Sequence, residues 1–197
     1  MDPLEMDIDE RIAAAFEKIA QVSRILLWEA ASAEKLSPIQ LQFLLHIDGA
    51  PESLRRVGAV AREFDLTPAT VSDALSSLES KGLIVKETSE EDRRSVILSL
   101  TAKGRKTVKS AEDWKSSMID TLRAFPGERK EMVMEFLTGM IASLFARGIL
   151  GSARICATCS NLVIMEGKTA PRFVCGITGR RFDESGMMIG CATHSAR

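Results

Sequence analysis

Apolar positions in the first part of the chain recur at helical spacing. Ile8, Ile12, Phe16, Ile19 and Leu26, with Ser23 among them, share one face, which predicts one long amphipathic helix over residues 8–33. Ser37-Pro38-Ile39-Gln40 then offers an N-cap, a proline at the first helical position and a Gln that closes a capping box, so a second helix is expected over residues 38–48. Ser53 is placed to cap a third, with Leu54, Val57, Ala61 and Phe64 on one face. Asp65-Leu66 makes a brief turn before Thr67-Pro68 opens a fourth helix, which directs Val71, Leu75 and Leu78 inward and meets Gly82 where a left-handed C-cap is wanted. Two short helices joined by a tight turn have the spacing of a helix-turn-helix.

Period-two patterning follows. Residues 83–87 and 95–100 read as strands, the second alternating Val96, Leu98 and Leu100 against Ile97 and Ser99, with a polar loop over residues 88–94. A helix-turn-helix followed by a two-stranded ribbon is a winged-helix arrangement. Thr101 caps a fifth helix that Pro126-Gly127 ends, and a sixth runs to Arg147 with Met132, Phe136, Met140, Ile141 and Leu144 on its apolar side. The long helices exceed what a small middle domain covers, so they are expected to bury one another across a two-fold axis in a homodimer. The expected fold is mainly α with a small β-wing. It divides into an N-terminal dimerisation helix (1–34), a winged helix-turn-helix (35–104), C-terminal dimerisation helices (105–150) and a small cysteine-rich module (151–197).

Over residues 8–147 the chain resembles the MarR family of winged-helix transcription regulators. The resemblance is carried by Leu66-Thr67-Pro68-Ala69-Thr70-Val71-Ser72, Leu78-Glu79-Ser80-Lys81-Gly82-Leu83-Ile84, Glu91-Asp92-Arg93-Arg94-Ser95 and Leu100-Thr101-Ala102-Lys103-Gly104, in this order. It implies a dimer built from the terminal helices, one helix of each protomer in the major groove, the wing in the minor groove, and a pocket for a small-molecule effector. By match to the family's D-x-R pattern, it implies Arg94 as the minor-groove reader, with Arg93 as its phosphate-binding neighbour. Asp92 can orient the wing arginine through a carboxylate–guanidinium pair.

The residues themselves agree with that reading. A helix N-terminus with hydroxyls from Thr67, Thr70 and Ser72 suits backbone phosphate, while Pro68, Ala69, Asp73 and Ser76 lie in the turns that meet base edges. Arg55 and Arg56 are further phosphate candidates. Charge tempers the picture. The whole chain carries 26 Lys+Arg against 27 Asp+Glu, and over residues 51–105 nine basic side chains face nine acidic ones. Low non-specific affinity and a modest salt slope are therefore expected. Asp73 either accepts from a cytosine amino group or repels phosphate.

All four cysteines lie in the last quarter of the chain. Cys156-Ala157-Thr158-Cys159 is a C-x2-C knuckle, fifteen residues separate Cys159 from Cys175 and Cys175 from Cys191, and Cys191-Ala192-Thr193-His194 repeats the knuckle spacing with an imidazole. No stretch approaches the roughly 18–20 apolar residues that span a bilayer, and the N-terminus is acidic rather than signal-like, so a soluble cytoplasmic protein without membrane partners is expected. In a reducing cytosol such a cluster points to metal, and a segment this small needs a staple. Cys156, Cys159, Cys191 and His194 would make a zinc ribbon with Cys175 spare. Cys156, Cys159, Cys175 and Cys191 would make an all-thiolate site for zinc or an iron–sulfur cluster, leaving His194 outside it. Zinc is favoured.

Trp28 and Trp114 read as core or interface anchors, His46 as structural and the methionines as core filling. No G-x-G-x-x-G, P-loop, H-E-x-x-H or Ser-His-Asp pattern is present, so an enzyme is not expected. The expected function is a homodimeric regulator of repressor type, bound to an inverted repeat in double-stranded DNA, with its affinity or stability set by the metal module. The alternative is an iron–sulfur or thiol redox protein that uses its winged helix for protein contacts.

Overall fold

The computed structural model describes residues 7–88, 96–165 and 172–196. Asp7 opens α1 (Ile8–Ala33) through a capping box with Glu10, and Ser37 opens α2 (Pro38–Gly49) through the expected box with Gln40. Lys35, at φ 55°, turns the chain between them, and the Leu36 amide closes the end of α1 on the Ala31 carbonyl at 2.9 Å.

The third helix departs from expectation. Ser53 lies in a single 3-10 turn, Glu52–Leu54, and α3 (Val57–Glu63) starts after an extended Arg56 with no side-chain cap. The cause is long-range: the Arg55 carbonyl accepts from the Leu98 amide at 2.7 Å. Residue 55 thus serves the edge of the wing and is unavailable to a helix started at Ser53. Helix α4 (Pro68–Ser80) follows with Thr67 as N-cap, and Gly82 at φ 68° ends it, the Leu83 amide reaching back to the Leu78 carbonyl at 3.0 Å.

The wing pairs β1 (Ile84–Thr88) with β2 (Val96–Leu100) antiparallel, Ile84 opposite Leu100 and Thr88 opposite Val96. Both Ile97 and Leu98 are buried while Val96 is exposed, so the expected alternation holds at Leu98 and Leu100 and fails at Val96 and Ile97. Strand β2 packs on α2, and β1 on α4, while the Leu98 amide of β2 bonds the Arg55 carbonyl just after the 3-10 turn.

The expected fifth helix is broken. Helix α5 (Ala102–Ala111) winds into a 3-10 stretch, Glu112–Lys115, before α6 (Ser116–Arg123). The tighter turn faces α1 and sets Trp114 against the core. Helix α7 (Gly127–Ala146) ends near Gly148, at φ 70°. Phe136 of α7 stacks on Phe16 of α1 with ring centroids 6.5 Å apart.

The core is one cluster that includes Leu27, Ala31, Leu41, Phe43, Leu44, Ile47, Val60, Val71, Leu75, Leu78, Ile84, Leu98, Val108 and Ala111, drawn from α1 to α5 and the wing. Outside it, apolar side chains stay exposed along the helices. Ile19, Val22, Ile25 and Trp28 lie on α1, Ile119 and Leu122 on α6, and Met132 and Val133 on α7. Trp28 is 61% exposed and belongs to this open surface rather than to the core. No helix among the described residues is long and apolar enough to cross a membrane.

The C-terminal segment forms a three-stranded antiparallel sheet in the order β3-β4-β5, from β3 (Leu162–Ile164), β4 (Phe173–Cys175) and β5 (Arg181–Phe182). Strand β4 is central, with Val163 opposite Val174 on one side and Phe173 opposite Phe182 on the other. Its core is Ile155 at 0% exposed, with Phe182 and Cys159, which is little to hold a unit of this size.

Gly104, at the start of α5, packs its Cα against the Leu83 carbonyl, and an added Cβ would collide with that backbone oxygen, whereas one on Gly49 would meet nothing within 4 Å. Gly104→Ala is therefore expected to lower unfolding free energy by about 1–3 kcal/mol, and Gly49→Ala to leave it unchanged or raised by about 0.5–1 kcal/mol. Chemical denaturation of both variants checks the contrast.

Candidate nucleic-acid interface and cysteine cluster

Helix α4 is held by its buried stripe. Val71, Leu75 and Leu78 are fully buried, which leaves Thr67, Pro68, Ala69, Thr70, Ser72, Asp73 and Ser76 exposed together. Every candidate on this helix thus lies on the open surface. The Thr67 hydroxyl caps the helix by accepting from the Thr70 amide at 3.2 Å, and it also meets the Thr70 hydroxyl at 2.9 Å. Ser77 is turned inward, accepting from the Gln40 amide group at 3.0 Å, while the Lys81 ammonium donates to Gln40 Oε1 at 3.1 Å and to the Lys35 carbonyl at 3.0 Å. Gln40 therefore both caps α2 and ties it to α4. Only its capping role is legible in the sequence.

Arg55 and Arg56 are half-buried, and the Nε atom of each is enclosed without a hydrogen-bond partner. Their side chains rest on protein at the base of the wing rather than standing free in solvent. The wing residues Asp92, Arg93 and Arg94 lie outside the described residues.

His46 packs edge-on against Phe64, and its Nε2 meets the Leu54 carbonyl at 3.1 Å. Burial is the main cause that lowers its pKa; the Leu54 bond and Glu63 oppose it, and Arg154 adds to it.

The cysteines come together. Cys156, Cys159, Cys175 and Cys191 line one cavity of about 20 Å³, with Asn161, Phe182, Thr193 and His194. Each sulfur is met by a donor or hydroxyl: Cys156 by the Met188 amide at 3.2 Å, Cys159 by Asn161 Nδ2 at 3.9 Å, and Cys191 by the Thr193 hydroxyl at 3.4 Å. The Thr178 hydroxyl and the amides of Thr178 and Ile177 bond Cys175 and lower its thiol pKa. Burial pushes the Cys156 thiol up; the Met188 amide opposes this, and Cys191, Cys159 and Cys175 add to it. Among the described residues, no three His, Cys, Asp or Glu side chains are gathered tightly enough to form a ready metal site. The four sulfurs share a cavity without converging on one point.

His194 is differently engaged. Its Nε2 meets the Thr158 hydroxyl at 3.0 Å, and that hydroxyl donates to the Ile155 carbonyl at 3.1 Å. The hydroxyl proton is thus committed, so Nε2–H is the donor and only Nδ1 retains a lone pair.

A connection absent from any sequence pattern joins the module to the helix-turn-helix. Asp65, in the turn between α3 and α4, has φ 51° and accepts from the Gly151 amide at 3.0 Å. Glu63, the last residue of α3, accepts from the Ser152 hydroxyl at 3.0 Å and pairs with Arg154 at 2.7 Å. These partners lie 86 to 91 residues apart, beyond the reach of periodicity or local motifs.

Comparison with known proteins bears on the same segment. Residues 35–95 match the model of the MarR family. The chain is 26% identical over 139 residues to the transcriptional regulator ZitR of Lactococcus lactis subsp. cremoris (strain MG1363), covering 68% of this chain and 94% of that protein. Among solved structures it is similar to Streptococcus pneumoniae FabT in complex with DNA, with 25% identity, a TM-score of 0.57 and 72% of this chain and 96% of that one covered. The S. aureus MepR–DNA complex shares the fold, with 24% identity, a TM-score of 0.58 and coverage of 68% and 97%. These relatives leave more than a quarter of this chain without a counterpart.

The depressed pKa of His46 has a testable sign. The folded state favours the neutral ring, so its contribution is full above the unfolded pKa of about 6.5 and is lost as pH falls from there to the folded pKa. His46→Gln is expected to remove this part of the acid-side loss of stability, read as the difference between unfolding free energies of the two proteins at pH values across that range.

Proposed function

We propose that this chain, whose residues 35–95 match the model of the MarR family, is a sequence-specific DNA-binding transcription regulator of repressor type that acts as a homodimer on an inverted repeat. The observation that carries the reading is the exposed polar face of α4 from Thr67 to Ser76, held outward by its fully buried opposite side. The Thr70 and Ser72 hydroxyls contact phosphate, Ala69 and Ser76 reach base edges, and Asp73 either accepts from a cytosine amino group or repels phosphate, which weakens binding to every sequence alike. The wing, with Arg94 and Arg93 oriented by Asp92, supplies the minor-groove and phosphate contacts, and Arg55 and Arg56 brace its base. The open apolar surfaces of α1, α6 and α7 are buried between protomers, setting the α4 helices about 34 Å apart, one turn of the duplex. The same helices frame the space for a small-molecule effector.

The cysteine module holds one zinc ion. Four cysteines line one cavity, and thiolates at this spacing suit a single zinc ion. Cys156, Cys159, Cys175 and Cys191 close a tetrahedral set around it, with His194 Nε2 turned to the Thr158 hydroxyl. Ion binding draws the sulfurs the remaining distance together and supplies the cohesion that Ile155, Phe182 and Cys159 alone do not.

Selection from a random duplex pool at low salt is expected to enrich an inverted repeat, and Ser72→Ala to weaken binding to it by about three- to tenfold, near 1 kcal/mol for one lost phosphate bond. Absence of any enriched repeat contradicts the DNA reading. Elemental analysis of anaerobically purified protein is expected to give about one zinc per chain in a colourless sample. Cys175→Ser should lose the metal and His194→Ala keep it. Retention by the first and loss by the second would install His194 as the ligand, and a coloured, iron-containing protein would replace zinc.

A further inference from the structure

The cysteine module touches two parts of the chain that a winged-helix dimer must hold in register. On one side, the turns Cys156–Thr158 and Glu184–Gly186 pack on α7, where Ala157 and Met187 face Phe136, Gly139 and Met140 across a shared cavity. On the other, residues 151–154 lie along the end of α3. Gly151 bonds the αL residue Asp65 at 3.0 Å, Ser152 bonds Glu63 at 3.0 Å, and Arg154 pairs with Glu63 at 2.7 Å. The last pair is largely enclosed, with side-chain exposures of 15% and 22%.

Arg154 is the junction. Its φ of 38° is unfavourable for a residue with a Cβ and persists only where the surroundings hold it. Two contacts do so: the guanidinium on Glu63, and the Arg154 carbonyl, which accepts from the Cys191 amide at 3.0 Å. Two residues later comes Cys156, which exchanges backbone and sulfur bonds with Met188 at 3.2 Å each. One residue thus joins the backbone of a thiolate-bearing loop to the side chain that ends α3.

We propose that residues 151–154 are a strap through which metal occupancy of the cysteine module sets the position of the helix-turn-helix relative to α7, and so the DNA affinity of the dimer. The inference rests on the zinc-binding, DNA-binding reading above. With the ion bound, Cys156 and Cys191 are fixed to one centre, Arg154 keeps its left-handed backbone, and Glu63 and Asp65 are clamped. Without it, the Cys191 loop is released, the Arg154 backbone relaxes and the enclosed ion pair opens. Helices α3 and α4 then swing more freely against α7, and ordering them on DNA costs more.

The test measures affinity of the full chain for its selected duplex with zinc bound and after chelation. Wild type is expected to bind about tenfold more weakly once zinc is removed, within the usual range for coupled sites. Arg154→Ala should retain zinc and DNA binding, yet respond to zinc by less than about twofold. Gly151→Ala gives a milder break, since its Cβ would displace the Asp65 carboxylate without removing a charge, and should shrink the zinc response in the same direction. A full zinc response in both variants overturns the strap. So does a wild type that binds zinc and DNA independently. A wild type that takes up no zinc, or binds no duplex, removes the premise instead, and the separate zinc and DNA titrations tell these failures apart.

Discussion

The burial of Val71, Leu75 and Leu78 on one side of α4 is the constraint on which the remaining architecture depends. These side chains are fully excluded from solvent, and a one-residue change in the helix's rotation would bring polar groups into the core. Their packing against α2, α3 and the wing fixes which hydroxyls face outward. Gln40 and Lys81 lock the same helix to α2 from the polar side. A recognition surface of short side chains such as Thr, Ala and Ser needs this rigidity, because it lacks the long reach by which an arginine corrects a misplaced backbone.

Around that fixed helix the chain places two kinds of incomplete surface. The exposed apolar stripes on α1, α6 and α7 are hydrophobic faces without an intramolecular partner, which in a protein of this fold is most economically met by a second copy. The cysteine module has too small a core to hold itself and four sulfurs around a small cavity. In the proposed regulator both deficits are made good by binding, one of a protomer and one of an ion, which ties oligomeric state and metal content to stability.

Local chemistry made much of this readable. The Ser37–Gln40 capping box, the Thr67-Pro68 start of α4 and the Gly82 stop are signals contained within a few residues, and the helices they bound agree with expectation to within one residue. What escaped was set by distant partners. The Arg55 carbonyl is claimed by Leu98, which delays α3 past Ser53. The need to seat Trp114 against the core breaks the helix after Ala111. Strand β5 is the local exception, folding straight back on β4 with Phe173 opposite Phe182. The four cysteines were legible as a set, but the engagement of His194 by Thr158 and the link from Arg154 to Glu63 depend on tertiary placement that no spacing encodes.

The central claim is that two α4 helices of one dimer enter successive major grooves. It is tested most directly by placing a photo-crosslinking residue at position 72 of the full chain and mapping its attachment on the selected duplex. The account predicts two sites of crosslinking to bases, related by the symmetry of the repeat and separated by about 10 base pairs. Crosslinks at a single site, at irregular positions, or none from α4 while the protein remains bound would contradict it.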